Sequence, residues 1–163
     1  MDIFKNKTIL ITGGTGSFGS YFVNFLLKKT KSKKIIIYSR DEFKQYNMKN
    51  SIHPKFYEKL RFFIGDVRDL SRLEFATNEV DILVHSAAMK QVEASEYNPM
   101  ECVKTNVTGT ENVVKACIAN KISKAVLVST DKAVNPINLY GSTKLASEKI
   151  FLNANNLVGK NKL

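Results

Sequence analysis

The sequence predicts an α/β domain built on a doubly wound parallel sheet, and three observations lead there. Short apolar runs alternate strictly with segments of helical period. The runs are nearly continuous rather than alternating with polar residues, as in strands buried on both faces. A glycine-rich turn joins the first run to the first helical segment, the junction found in strand–turn–helix units of such sheets.

Lys7 to Thr12 reads as the first strand, and Phe18 to Lys29 follows at helical spacing. Lys34 to Tyr38 is the second strand. Asp41 to Lys49 is helical, with His53-Pro54 breaking the run. Leu60 to Ile64 is the third strand, ended by Gly65-Asp66, and Asp69 is placed to cap a short helix. Asp81 to His85 is the fourth strand. Ser95 to Asn120 reads as one long helical stretch with Gly109 inside it. Ala125 to Ser129 is the fifth strand, and a loop through Asn135-Pro136 leads to a last helix over about Tyr140 to Leu157. No repeat, low-complexity tract or linker interrupts this order, so residues 1–163 are read as one domain.

Composition excludes several classes. The chain has 163 residues, 44% of them hydrophobic, enough for a core of ordinary size. No apolar stretch approaches the ~20 residues of a membrane span. Two cysteines, Cys102 and Cys117, make no disulfide framework and no metal-ligand spacing, so no metal is expected. Met1 to Lys5 runs straight towards the first strand with no leader pattern, which predicts a cytoplasmic protein. Lysine and arginine number 25 against 15 acids, a net charge of +10. The excess is scattered, apart from Lys28, Lys29, Lys31, Lys33 and Lys34 at a helix end, where cations complement the dipole. No basic–aromatic stripe or recognition motif points to nucleic acid. The charge suits acidic small molecules instead.

Residues 12–19 read Thr-Gly-Gly-Thr-Gly-Ser-Phe-Gly, with Gly13, Gly16 and Gly19 spaced GxxGxxG. Glycine permits the tight turn and lets backbone N–H groups reach a pyrophosphate at a helix N-terminus. Gly13, Thr15, Gly16, Ser17, Phe18 and Gly19 are therefore candidate dinucleotide ligands. The second strand ends Ser39-Arg40-Asp41. An acid here would hold a ribose 2′-hydroxyl, whereas Arg40 would pair with a 2′-phosphate. With Asp41 open to a capping role, the order favours NADP over NAD. Asp66 and Val67 would meet the adenine. Ala87 and Ala88 keep side chains small where a cofactor passes close to backbone. His85 reads as a packed strand-end residue.

Ligands in doubly wound sheets sit at the carboxyl ends of strands. The fifth strand ends Ser129-Thr130-Asp131-Lys132, and Tyr140 and Lys144 follow as YxxxK. Residues i and i+4 share a helix face. A nearby ammonium and a cationic nicotinamide lower a tyrosine's pKa. The tyrosinate then accepts a hydroxyl proton while hydride leaves.

Taken together, the glycine turn, Ser39 to Glu42, Gly65 to Asp69 and the Tyr140–Lys144 pair resemble the extended short-chain dehydrogenase/reductase superfamily, whose cofactor domain is a Rossmann-like doubly wound sheet. Ala87 to Val92, Asn106 to Asn112 and Ser129 to Pro136 are similar to the C5-inverting UDP-N-acetylglucosamine 4,6-dehydratases of bacterial surface-glycan and flagellin-glycan synthesis. The resemblance implies that Tyr140 and Lys144 drive oxidation at carbon 4 while Thr130 holds the hydroxyl. Lys132 would take the carbon 5 proton, Asp131 would protonate the departing 6-hydroxyl, and hydride would return to carbon 6. Lys90 would contact substrate or cofactor, or be solvated; Asn106 would lie near the active site or stabilise a helix bend. Glu93 stands where such enzymes often carry proline.

The resemblance covers the front half of a typical member. A sixth strand and a C-terminal substrate-binding region are expected to be absent from this chain, leaving an unpaired edge that favours self-association into a homo-oligomer. The expected substrate is UDP-N-acetylglucosamine or a related UDP-sugar. Two alternatives share part of the pattern: a UDP-sugar 4-epimerase, against which Lys132 argues, and a non-catalytic NADP-binding module.

Overall fold

The computed structural model describes residues 2–158. Five parallel strands form one sheet: β1 (Thr8–Thr12), β2 (Lys34–Ser39), β3 (Leu60–Ile64), β4 (Ile82–His85) and β5 (Lys124–Leu127), in the order β3-β2-β1-β4-β5. Thr12 pairs with Tyr38 on one side and with His85 on the other, so three strand ends converge beside the glycine turn.

Two helical layers cover the sheet. On one face α1 (Ser17–Lys29) and α2 (Glu42–Ser51) bury Val23, Leu26, Leu27 and Met48 against Ile9, Ile11, Ile35 and Ile37. On the other, α3 (Leu70–Ala76) and a later helix, α6 (Gly109–Ala119), bury Leu73, Val113, Ala116 and Cys117 against Leu10, Ile36 and Leu83. Alternate residues of one strand thus face opposite layers, which is why the strand sequences are apolar throughout. That holds for β1, β2 and β4. The two edge strands depart from it: Arg61 and Ile64 of β3 and Lys124 and Val126 of β5 are exposed.

The expected long helix from Ser95 to Asn120 is instead three helices and a wide turn. Helix α4 (Val92–Tyr97) ends at Asn98, and Pro99 opens α5 (Pro99–Val103). Proline cannot continue a helix but suits its first turn, so the break is written in the sequence at Pro99. Lys104–Thr108 then form a π turn, closed by the Gly109 N–H donating to the Lys104 carbonyl, before α6 begins. Such one-turn widenings re-aim side chains and cluster at functional sites. Glu93 lies in the first turn of α4, where its charge favours the helix dipole.

Helix α7 (Leu139–Leu157) packs along α6 and the π turn, and Asn138 caps it by accepting the Gly141 N–H at 2.8 Å. Phe151 of α7 packs with the core built by α3 and α6. No helix among the described residues is long and apolar enough to cross a membrane.

Candidate active site at the strand ends

The topology dictates where a site opens. The helices following β1 and β4 lie on opposite faces, so the chain diverges between those strands and leaves a crevice at their carboxyl ends. A cleft of about 400 Å³ occupies this crevice. It is lined by every residue expected to hold the cofactor: Gly13, Thr15, Gly16, Ser17, Phe18 and Gly19 from the turn, Ser39 and Arg40 after β2, Asp66 and Val67 after β3, Ala87, Ala88 and Lys90 after β4, and Tyr140 and Lys144 from α7.

The glycine turn is held by contact as well as by conformation. Gly13 has φ +66°, and a Cβ there would meet the Ala87 backbone nitrogen at 2.8 Å. Any side chain would therefore both strain the turn and push away the loop that closes the cleft. Gly16 precedes α1 with no side-chain cap, which leaves first-turn N–H groups of a 13-residue helix free for an anion.

At the β2 end, Asp41 is not free for a ribose. Its carboxylate caps α2, accepting the Lys44 N–H at 2.9 Å, and the backbone and side chain of Lys44 hold it below the usual range. Arg40 is exposed and lies 3.6 Å from Asp66. Burial works to raise the Asp66 carboxyl, but hydrogen bonds and charge from Arg68, with Arg40 adding, leave it lowered and ionised. The Ser39 hydroxyl accepts from Gln45 at 3.0 Å, fixing the start of this segment.

At the far end, Thr130 lines the cleft and Asp131–Ala133 turn away in a short 3-10 helix. The Thr130 hydroxyl donates to Asp131 at 2.9 Å, and Lys132 Nζ lies 3.8 Å from the same carboxylate. Neither Asp131 nor Lys132 lines the cleft. The Asp131 side chain is 88% exposed, and Thr130 and Lys132 hold it below the usual carboxylate range, so in this state it is ionised. The turn nevertheless abuts the YxxxK helix: a Cβ on Gly141 would collide with the Lys132 carbonyl oxygen. Tyr140 and Lys144 are both buried. Lys144 Nζ donates to the Val128 carbonyl at 2.8 Å, and burial lowers its pKa while Glu148 opposes that shift.

Asn106 lies outside the cleft at 1% exposure. Its Oδ1 accepts the Met89 N–H at 2.8 Å, and its Nδ2 donates to the Met89 carbonyl at 3.0 Å and to Thr143 at 3.0 Å. The side chain thus clamps the loop carrying Ala88 and Lys90 rather than facing the cleft. Its neighbour Thr105 is what the sequence reading missed. It lines the cleft, is buried, and its hydroxyl has no partner. An orphaned buried hydroxyl on the wall of the cleft that Gly13 also lines, where a Cβ would meet the Ala87 backbone, marks polarity for a ligand. Together with the uncapped α1 terminus and the cations at both ends of the cleft, it fits a nicotinamide dinucleotide. Lys44, Ser86, Val128 and Ser129 also line the cleft. The strand-end rule points to the last three, whereas the inward turn of Thr105 comes from the π turn and has no sequence signal.

His85 is packed at the end of β4, as expected, and fully buried, hydrogen-bonded to Thr12 at 2.6 Å and Thr110 at 3.1 Å. Burial, with the Lys144 charge adding, lowers its pKa to about 3.

Fold and site together define an extended short-chain dehydrogenase/reductase. Within that superfamily, the chain belongs to the family of polysaccharide biosynthesis proteins, which matches residues 9–163. It is 55% identical over 157 residues to a Campylobacter jejuni protein (serotype O:23/36, strain 81-176) named UDP-N-acetylglucosamine 4,6-dehydratase (inverting), covering 96% of this chain and 46% of that one. A Rickettsia typhi protein named UDP-glucose 4-epimerase is 46% identical over 151 residues, covering 91% and 43%. The solved structure of Pen from Bacillus thuringiensis superposes with a TM-score of 0.93 at 39% identity over 97% of this chain and 49% of that one. The dTDP-glucose 4,6-dehydratase DesIV of Streptomyces venezuelae, solved as a double mutant with NAD bound, superposes at 0.76 with 25% identity over 87% and 49%. The chain thus spans about half the length of the relatives it matches.

Two outcomes follow from this geometry. Replacing Thr105 by valine removes a buried unpaired hydroxyl, so the ligand-free chain is expected to gain about 1–3 kcal/mol in denaturant unfolding while dinucleotide affinity falls. A chain that loses stability, or keeps its affinity, would show that the hydroxyl serves the fold instead. His85 is neutral when folded at pH values where it is protonated when unfolded. The unfolded state therefore binds more protons, and stability falls as the pH is lowered below 6.5 towards the folded pKa. Unfolding of His85→Asn measured from pH 6.5 to 4.5 should lack that slope.

Proposed function

We propose that residues 1–163 are the dinucleotide-binding domain of an NADP-dependent, C5-inverting UDP-N-acetylglucosamine 4,6-dehydratase, and that the activity belongs to the whole protein to which this domain contributes. The observation that carries the reading is the Thr130-Asp131-Lys132 turn seated against the Tyr140–Lys144 helix at one end of the dinucleotide cleft. That juxtaposition supplies a hydride-transfer pair and a separate acid–base pair to one sugar. The Campylobacter relative supports it through the activity in its name.

A nicotinamide dinucleotide bound in the cleft supplies the hydride acceptor at the start of the cycle and the hydride donor at its end. The glycine turn and the α1 N-terminus hold the pyrophosphate, with Thr105 donating or accepting a hydrogen bond deeper in. Arg40, with Lys44 beside it on the cleft wall, answers a 2′-phosphate, and Asp41, occupied as a cap, offers no competing acid. Tyr140 takes the proton from the sugar 4-hydroxyl, and the Lys144 ammonium stabilises the tyrosinate. Thr130 orients that hydroxyl. The 4-ketone makes the carbon 5 proton acidic, and Lys132 removes it. Asp131 protonates the 6-hydroxyl as the C6–O bond breaks and water leaves; burial under a bound sugar raises its pKa towards that role. With hydride supplied to carbon 6 by the reduced cofactor, a solvent proton delivered to carbon 5 on the face opposite Lys132 would invert the centre.

The Rickettsia relative favours a second reading, a UDP-sugar 4-epimerase using Tyr140 and Lys144 alone. Mass spectrometry of UDP-N-acetylglucosamine incubated with the complete protein and NADP decides between them. Loss of water supports dehydration, and an unchanged mass with a new 4-epimer overturns it.

For the cofactor, Arg40→Ala should weaken NADP binding by about 1.5–3 kcal/mol in a calorimetric titration and leave NAD nearly unchanged. Equal losses would remove Arg40 from the 2′-phosphate. For the base, Lys132→Met in the complete protein should stop solvent deuterium entering carbon 5 while oxidation at carbon 4 persists. Deuterium incorporation at the normal rate would assign that proton to another group.

A further inference from the structure

Between the two ends of the cleft runs an unbroken chain of buried hydrogen bonds, with His85 at its centre. The Thr110 hydroxyl has one proton and donates it to the Asn106 carbonyl at 2.6 Å. We therefore assign the ring hydrogen of His85 to Nε2, which donates to Thr110 Oγ1 at 3.1 Å, and Nδ1 accepts from the Thr12 hydroxyl at 2.6 Å. With its proton committed to the ring, Thr12 Oγ1 presents its lone pairs to the N–H groups of Ser86 at 3.2 Å and Ala87 at 3.3 Å. On the other side, the Ser147 hydroxyl of α7 shares its one proton between the Asn106 carbonyl that Thr110 reaches and the Thr143 carbonyl, each at 2.7 Å. Asn106 Nδ2 reaches Thr143, one residue before Lys144, at 3.0 Å.

We propose that His85 is a positioning residue that sets two separate parts of the site. Through Thr12 it fixes the loop at Ser86–Ala87 that closes on the glycine turn, and through Thr110 and Asn106 it fixes the register of the Tyr140–Lys144 helix. Asn106 ties the same loop further on, at Met89, to Thr143 directly, so what His85 adds is the link from that helix back to Thr12 and the glycine turn. An imidazole suits the position because it donates at one ring nitrogen and accepts at the other, roughly opposite each other, so each hydroxyl is held in one orientation. The proposal rests on the reading of Tyr140 and Lys144 as the hydride-transfer pair.

The two arms separate experimentally. In the complete protein, Thr12→Val should raise the NADP dissociation constant about tenfold and leave kcat at saturating cofactor within about twofold. Thr110→Val should do the reverse, lowering kcat about tenfold with cofactor affinity unchanged. His85→Asn keeps a polar atom at the Nδ1 position and should resemble Thr110→Val, while His85→Gln keeps one at the Nε2 position and should resemble Thr12→Val. A purely structural histidine would instead make all four variants lose affinity and kcat together, in proportion to the fall in Tm, and that pattern, or no change in any of them, overturns the proposal. If one variant fails to fold, its isosteric counterpart reads the same arm. A wild-type protein that binds NADP but does not turn over UDP-N-acetylglucosamine refutes the reading of the reaction alone. The Thr12 arm is then still decided by calorimetry without substrate, and unchanged NADP affinity in Thr12→Val sinks it.

Discussion

The pairing of β1 with β2 on one side and β4 on the other is the constraint on which the rest depends. Because the helices that follow β1 and β4 cover opposite faces, no helix seals the carboxyl end between those strands. Every group of chemical interest is delivered there by a short segment after a strand: the glycine turn after β1, Arg40 after β2, Asp66 after β3, Ala87 to Lys90 after β4, Thr130 after β5. Helices contribute the rest: Ser17, Phe18 and Gly19 from the start of α1, Lys44 from α2, Thr105 from the π turn, and Tyr140 and Lys144 from α7. A parallel sheet makes this economical, since all strand ends point to the same edge.

The interior beneath that edge is unusually polar. Thr12, His85, Asn106, Thr110, Thr143, Lys144 and Ser147 are all buried, and their hydrogen bonds close on one another or on backbone carbonyls. A satisfied polar network is directional where apolar packing is not, and it holds loops and helices in one register. The apolar clusters on both faces carry stability, while this polar layer between sheet and helix carries geometry. Thr105 is the exception within the layer: it lines the cleft and its buried hydroxyl has no partner. The cleft itself is lined by Arg40, Lys44, Lys90 and Lys144 against Asp41 and Asp66, a cationic excess that suits an anionic dinucleotide.

How much was legible varied with the range of the interaction involved. The capping of α2 by Asp41 and of α3 by Asp69 is a local pattern and is found as written. The break in the expected long helix was also local, since Pro99 encodes it, but the apolar periodicity on either side masks it. The edge strands were less legible. Nothing in Lys124 to Leu127 says that Val126 faces outward, because exposure at an edge depends on what packs against it. Asn106 shows the same limit at the site: its residue type suited either a ligand contact or a helix bend, and only its bonds to Met89 and Thr143 show that it clamps a loop.

The sequence by itself determined the class of fold, the place of the glycine-rich turn and most of the residues that line the cleft. Those follow from short-range rules: hydrophobic period, glycine spacing, and the position of a residue just after a strand. Tertiary structure alone decided that Asp131 and Lys132 stand outside the cleft as an exposed pair, that the π turn brings an unpaired Thr105 into it, and that His85 joins Thr12 to Thr110. Each of these depends on how separate elements pack, and His85 shows it most directly, meeting Thr110 25 residues away and Thr12 73 away. Hydrogen bonds of that range are set by strand register and helix rotation, which the chain acquires only when its whole core packs.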